Sequence, residues 1–376
     1  MSAPAEQTRV PSFTVVREDP SGARLGRFVT AHGVVETPAF MPVATHGAVK
    51  GIPPRQLAEL GATIVLANAY HLAQRPGVET IRALGGLHAF MGWDGPILTD
   101  SGGFQAMSLG ELVRIDDAGI RYRSHVDGRA GVLSPEDAVA VQEGLGVDVA
   151  MSLDECVPAG TVPDGVARAV ARTTAWAARG VAARRRADAT ALFGIVQGGF
   201  DLDLRAASAA DLTALPFDGY AVGGLSVGEP PAETARVAAT TVALLPTDRP
   251  RYLMGVGTPG DLLRFVGMGY DLFDCVLPTR NARNGTLFTR QGKLMIRNAA
   301  HARDARPVED GCPCYTCARF SRGALRHFVL AREMLGAQLA TVHNLHFYLH
   351  LMREIRSALA EGTFPGRAAA AGGVWA

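Results

Sequence analysis

The sequence predicts an α/β fold, a (β/α)8 TIM barrel with an N-terminal antiparallel β cap and a small C-terminal subdomain that carries a cysteine cluster. Three observations lead there. Eight short apolar runs rich in strand formers recur, each followed by a segment of helical character. Most runs end on a polar residue or glycine, and three of the five cysteines gather beyond the last run. The chain has 376 residues, 48% hydrophobic and 19% charged, which suffices for a large core and argues against disorder.

Residues 12–36 alternate and turn at Asp19-Pro20-Ser21-Gly22 and His32-Gly33, the pattern of an antiparallel cap over one barrel end. The eight runs are 37–43, 63–66, 96–98, 147–153, 192–196, 219–222, 251–254 and 270–275. Helix starts lie between them: Pro53-Pro54, Ser134-Pro135-Glu136-Asp137, Pro230-Pro231 and Thr258-Pro259-Gly260-Asp261. A doubly wound open sheet is the structural rival. Residues 112–133 turn twice and read as a hairpin inserted after the third strand. The expected division is 1–278 for cap, barrel and hairpin, 279–362 for a basic subdomain with a closing helix over roughly 325–360, and 363–376 for a flexible tail rich in Ala and Gly.

No run approaches the roughly 18 apolar residues of a spanning helix, and the opening MSAPAEQTRVPSF has no apolar signal region. A cytoplasmic location away from membranes is expected. The formal net charge is +1, yet the segment from Thr279 to Arg326 holds nine Arg and Lys293 against Asp304, Glu309 and Asp310. That local excess of positive charge suits a polyanion.

Cys312, Cys314 and Cys317 offer three thiolates, and tetrahedral zinc takes a fourth ligand. His343, His346 and His350 share one helix face, so spacing does not choose among them. A closed site of this kind is structural, and it makes the predicted C-terminal unit a zinc-binding subdomain.

In a barrel the strand ends gather at one face, where active sites form. Asn68, Asp100, Asp154, Gln197, Gly223-Gly224, Gly255 and Asp274 are such ends. Asp100 opens Asp100-Ser101-Gly102-Gly103-Phe104-Gln105, a carboxylate before a glycine turn that admits close approach. Gly198-Gly199 and Gly223-Gly224 repeat the device without dinucleotide or Walker spacing. Asp100 and Asp274 form a candidate carboxylate pair for glycoside-bond chemistry, one attacking an anomeric carbon and the other moving protons. Cys275 is expected to point away from Asp274 and to serve packing.

The run from Asp100 to Gln105, MSLDEC (151–156), GIVQGG (194–199), GGLSVGE (223–229), YLMGVG (252–257), the segment 273–283 and the Cys312/Cys314/Cys317/His343 set together resemble bacterial tRNA-guanine transglycosylases, also called queuine tRNA-ribosyltransferases. The resemblance spans about residues 12–360. It implies exchange of guanine at the wobble position of tRNAs with GUN anticodons, those for Asp, Asn, His and Tyr, for 7-aminomethyl-7-deazaguanine (preQ1). By the same resemblance Asp274 is the nucleophile, and Asp100 binds the base edge and handles its proton. Ser101, Gly102, Gly103, Asp154, Gln197, Gly224 and Leu225 then surround the base, with Phe104 and Met254 on its faces. Lys50, Arg280 and Arg283 match RNA-contacting positions, His343 matches the fourth ligand of one structural zinc per chain, and a homodimer is implied. Cys156 and Val227 resemble the precursor-using pattern. Phe104 departs from the Tyr common in bacterial members, keeping the ring and dropping a hydroxyl.

Overall fold

The computed structural model describes residues 10–105, 113–124 and 126–375. The expectation drawn from the opening residues, and the start of the predicted inserted hairpin at Leu112, lie outside them. Strands β1 (Ser12–Glu18), β2 (Arg24–Thr30) and β3 (Gly33–Thr37) form the expected antiparallel cap. Phe28 and Val35 turn inward and plug one end of the barrel, with the Phe28 ring 5.8 Å from that of Phe193. The capped end is the N-terminal one. There Asp148, just ahead of a barrel strand, pairs with His32 Nδ1 at 2.9 Å and His88 Nε2 at 3.1 Å and accepts the His32 backbone N–H at 3.1 Å.

The barrel strands are β4 (Ala39–Met41), β5 (Val43–Ala44), β6 (Val65–Ala67) and β7 (Ile97–Thr99), then β11 (Val149–Met151), β12 (Ala191–Val196), β13 (Gly219–Val222), β14 (Arg251–Leu253) and β15 (Leu272–Asp274). All eight predicted runs are strands of one parallel sheet. β4 and β5 are one strand interrupted at Pro42, which lacks a backbone donor but accepts from Leu66 N–H at 3.1 Å. β4 pairs with β15 and β5 with β6, so the ring closes. These strands are buried on both faces, the reason they read as unbroken apolar runs. Helix starts follow the sequence signals: Ser134 and Asp137 form a capping box on Pro135–Leu145, and Thr258 caps Pro259–Gly267.

Between β7 and β11 the chain forms β8 (Val113–Asp116), β9 (Gly119–Arg123) and β10 (Ala130–Leu133), a three-stranded antiparallel sheet. Both predicted turns are realised, and two turns make three strands where a hairpin was expected.

Beyond β15 come a short helix (Leu277–Arg283), the hairpin β16 (Thr286–Thr289) and β17 (Gly292–Met295), and the helices Tyr315–Arg319, Arg322–Leu330 and Met334–Glu361. The single closing helix expected over 325–360 is therefore two, divided at 331–333, where Arg332 adopts φ 58°. The longer one joins subdomain to barrel. Its Tyr348 packs 5.0 Å from Phe40 and donates to the Gly257 carbonyl at 2.7 Å, while Asn344 donates to the carbonyls of Pro278 and Thr286 and accepts the N–H of Phe288.

The tail also departs from expectation. Phe364–Trp375 is a helix, with Phe364 buried and the Trp375 ring 5.8 Å from Phe288 and 5.7 Å from Phe347. Two aromatic anchors hold a segment whose composition alone suggests fraying. No helix among the described residues is long and apolar enough to cross a membrane.

Candidate active site

The open, C-terminal face of the barrel collects the predicted residues because each follows or ends a strand: Asp100 after β7, Asp154 beyond β11, Gln197 after β12, Gly224 and Leu225 after β13, Met254 after β14, and Asp274 closing β15. Asp274 Oδ1 accepts the Tyr252 hydroxyl at 2.5 Å and the Gly255 N–H at 2.8 Å. Oδ2 receives no hydrogen bond from the described residues. Burial raises the Asp274 pKa above its ordinary value, and the two donors oppose that rise. Burial, with Asp274 beside it, pushes the Tyr252 phenol well above its ordinary value, so it remains a donor at neutral pH. The result is a carboxylate oriented through one oxygen and open at the other.

Asp100 is 8% exposed. Its Oδ1 accepts the Ala69 N–H at 2.9 Å, and its Oδ2 accepts from the Gln105 amide at 2.7 Å and from the Asn68 amide. Burial raises its pKa from 3.8 to about 6 despite those three donors, and the charge of Asp274 adds to the rise. A carboxyl poised there can take up and release a proton near neutrality.

The native state thus binds the Asp100 proton more tightly than the unfolded chain does. The stabilisation from this proton is complete below about pH 4 and is lost as pH rises through about 6. At about 1.4 kcal/mol per pH unit, the ionised group costs on the order of 3 kcal/mol at pH 7.5. Asp100→Asn can keep the Ala69 contact through its carbonyl and donate to the amides of Asn68 and Gln105 once these flip. The variant is expected to unfold at higher denaturant than wild type at pH 7.5, with no gain at pH 4, while its catalysis falls at least about 100-fold. Equal stability at both pH values would contradict the raised pKa.

A second buried carboxylate, Asp154, accepts the Ser101 hydroxyl at 3.0 Å and the Gln197 amide at 2.7 Å, and burial raises its pKa. Gln197 Oε1 is buried without a partner among the described residues, an acceptor left over in the site. Gly103 is required by close approach, since a Cβ there would lie 2.4 Å from Asp154 Oδ1. Gly224 has φ +67°, and its Cβ would lie 2.4 Å from Gln197 Oε1. Gly102 takes the positive φ that turns the chain from Ser101, and Phe104 stands half exposed. Leu225 is buried and Met254 packs on the barrel interior. Beside Gly224 a cavity of about 180 Å³ opens, lined by Val157, Val166, Phe200, Leu204 and Val227 among others.

Burial pushes both the Cys156 and Cys275 thiols up to about 12, so neither supplies a thiolate at neutral pH. Cys275 packs toward Gly257 and Phe40, as alternation requires. Lys50, Arg280 and Arg283 are exposed. Elsewhere in the basic segment Arg306 and Arg322 pair with Asp304, and Arg290 with Glu354.

In the subdomain, His343 Nδ1 lies 3.9, 3.6 and 3.3 Å from the sulfurs of Cys312, Cys314 and Cys317, and the four ligand atoms lie within 4.8 Å of one another. Tetrahedral zinc with Zn–S near 2.3 Å and Zn–N near 2.05 Å places sulfur and nitrogen roughly 3.6 Å apart, so the set fits a metal ion. His343 Nε2 faces the Phe288 carbonyl at 2.8 Å, which leaves Nδ1 for the ion. His346 and His350 stack on each other, and His350 pairs with Glu354 at 3.2 Å.

Comparison with known proteins gives the family. A profile described as queuine tRNA-ribosyltransferase matches residues 19–370. The chain belongs to the queuine tRNA-ribosyltransferase family. The queuine tRNA-ribosyltransferase of Moorella thermoacetica is 53% identical over 352 residues, covering 93% of this chain and 94% of its own. That of Symbiobacterium thermophilum is 53% identical over 353 residues, covering 94% and 88%, and that of Listeria innocua 52% over 341 residues, covering 91% and 90%. As a member of the queuine tRNA-ribosyltransferase family the chain is an enzyme, a pentosyltransferase.

Sequence reasoning placed Asn68 among the strand ends without giving it a role, and it did not single out Gln105, Tyr252 or Glu229. Asn68 and Gln105 hold Asp100, Tyr252 holds Asp274, and Glu229 accepts the N–H groups of Ser226 and Val227. Gln105, Tyr252 and Glu229 lie within the quoted motifs, so all four positions were visible. Their partners were not.

Proposed function

We propose that this enzyme exchanges guanine at the wobble position of tRNAs with GUN anticodons, those for Asp, Asn, His and Tyr, for preQ1, in queuosine synthesis. The observation that carries the proposal is the Asp274 carboxylate, tethered by Tyr252 and Gly255 through Oδ1 and unengaged at Oδ2, with protonatable Asp100 close by. Oδ2 attacks the ribose anomeric carbon as the bond to guanine N9 breaks. The electron pair leaves on the base, which takes a proton from Asp100. The entering base returns its N9 proton to Asp100 and attacks the same carbon, releasing Asp274. Two inversions give net retention.

Asp154 and Gln197 suit the donor and acceptor edge of a guanine-like base, and Phe104 and Met254 suit its faces. Lys50, Arg280 and Arg283 contact the tRNA phosphates. Cys312, Cys314, Cys317 and His343 hold one zinc, whose thiolate-rich donor set suits that ion. The role is structural, because all four positions are filled by protein. Tyr315, Leu330, Met334 and Leu335 are exposed apolar side chains on the subdomain, Met334 at 87%, and they form the face of a homodimer. The enzyme works in the cytoplasm.

The test is incorporation of radiolabelled guanine into an unmodified tRNA bearing a GUN anticodon, with a tRNA lacking it as control. Incorporation into both or neither would refute the proposal. In the same assay kcat/KM for preQ1 is expected to exceed that for queuine by roughly ten- to two-hundredfold, the reach of steric discrimination by one side chain. Val227→Gly should narrow the ratio while sparing guanine exchange, since guanine has no 7-substituent. Equal efficiency of both bases in wild type would refute the preference alone.

A further inference from the structure

Helix Leu202–Thr213 sends Arg205 toward the barrel, where its side chain is fully buried. No carboxylate lies within ion-pair distance among the described residues. The guanidinium instead gathers backbone carbonyls: Nη1 donates to Val196 at 2.9 Å and Gly223 at 2.8 Å, and Nε donates to Gly199 at 3.0 Å. Val196 ends β12 and Gly223 follows β13. The fork therefore spans two neighbouring strand ends from behind.

The residues next along each strand are Gln197 and Gly224, which form one wall of the candidate site. Ser208, one turn further on the same helix, accepts the Gln197 N–H at 3.2 Å. A Cβ on Gly224 would lie 2.4 Å from Gln197 Oε1 and 3.4 Å from Arg205 Nη2, so both side chains close on the space beside the Gly224 backbone. Nη2 itself has no hydrogen-bond partner among the described residues.

We propose that Arg205 is the positioning residue of the base-recognising wall, fastening the ends of β12 and β13 so that the Gln197 side chain and the Gly224 backbone keep their spacing. This rests on the reading that these two groups bind the base. Burying a guanidinium without a carboxylate is costly, and burial lowers its pKa to about 10. The guanidinium reaches three divergent carbonyls from two nitrogens set apart on a rigid plane, whereas the three N–H donors of an ammonium radiate from one atom. Without the fork the Gly199 and Gly223 carbonyls lose their side-chain partner, and the two strand ends keep the bond from the Gly223 N–H to the Val196 carbonyl at 3.1 Å without the clamp that fixes its geometry.

The experiment compares wild type, Arg205→Lys and Arg205→Ala in guanine exchange on one tRNA, with circular dichroism melts of each. For Arg205→Lys the KM for guanine is expected to rise about tenfold or more while the KM for tRNA stays within about twofold, because displacements near 1 Å at a site cost up to about a hundredfold. Methylguanidinium should restore part of the Arg205→Ala activity where ethylammonium does not. A folded Arg205→Lys with an unchanged guanine KM and only a lowered melting temperature would make Arg205 merely structural and overturn the proposal, and so would equal rescue by both cations. If Arg205→Ala does not fold, Arg205→Lys decides. Absence of exchange in wild type would instead remove the reading of the site beneath it.

Discussion

Asp274→Asn is expected to bind tRNA as wild type does and to lose guanine exchange by on the order of 10⁴-fold or more, the scale seen when a covalent nucleophile is removed. The substitution is gentle on the fold. An asparagine carbonyl placed as Oδ1 still accepts the Tyr252 hydroxyl and the Gly255 N–H, the two bonds that orient the carboxylate. The change falls on the other atom, where an amide nitrogen replaces the unengaged oxygen and can neither attack the anomeric carbon nor carry negative charge toward it. Wild type mixed with tRNA should give an adduct that survives denaturing electrophoresis, and the variant should give none. Because burial raises the wild-type Asp274 pKa, exchange should also fall as pH drops through that raised value. Near wild-type exchange by Asp274→Asn would show that the chemistry belongs to another group.

The sequence was legible where one signal decided the outcome. Barrel strands buried on both faces leave apolar runs that can be found without knowing the fold, and a residue closing such a run is brought to the active face by topology alone. Asp100, Asp154, Gln197 and Asp274 lie at that face for this reason. Legibility ended where two parts of the chain decide jointly. The break between the last two long helices turns on Arg332, a non-glycine residue with positive φ that propensity does not anticipate. The tail helix is held by the Trp375 ring against Phe288 and Phe347 and by the burial of Phe364, anchors that an Ala- and Gly-rich composition conceals. Arg205 is one arginine in a chain full of them, and only the placement of three carbonyls gives it a task. Tyr252 stands 22 residues before Asp274, and the pairing of their strands brings them together.

Cys317→Ala is expected to lose the metal and, with it, the folded subdomain. Wild type should contain about one zinc per chain, and ligand deletion removes a contribution of on the order of 10 kcal/mol, comparable to the whole stability of a typical domain. The apolar cluster that would remain is small, built on Leu287, Ile296, Val308, Leu325 and their neighbours, and the buried Thr316 hydroxyl, which donates to the Leu339 carbonyl at 2.6 Å, would be left to tie the cysteine segment to the His343 helix. The damage should not stay local. Met334–Glu361 carries His343 and Asn344 into the subdomain and Tyr348 onto the barrel, so loosening one end releases packing at Phe40 and Gly257. Limited proteolysis should therefore cut the variant first between residues 286 and 330, and the melting temperature should drop by about 10 °C or more. Since Lys50, Arg280 and Arg283 lie beside this unit while Asp100 and Asp274 lie in the barrel, tRNA affinity should fail before the carboxylate pair is disturbed. A metal-free preparation that stays folded, resists protease and exchanges guanine would refute the structural role of the site.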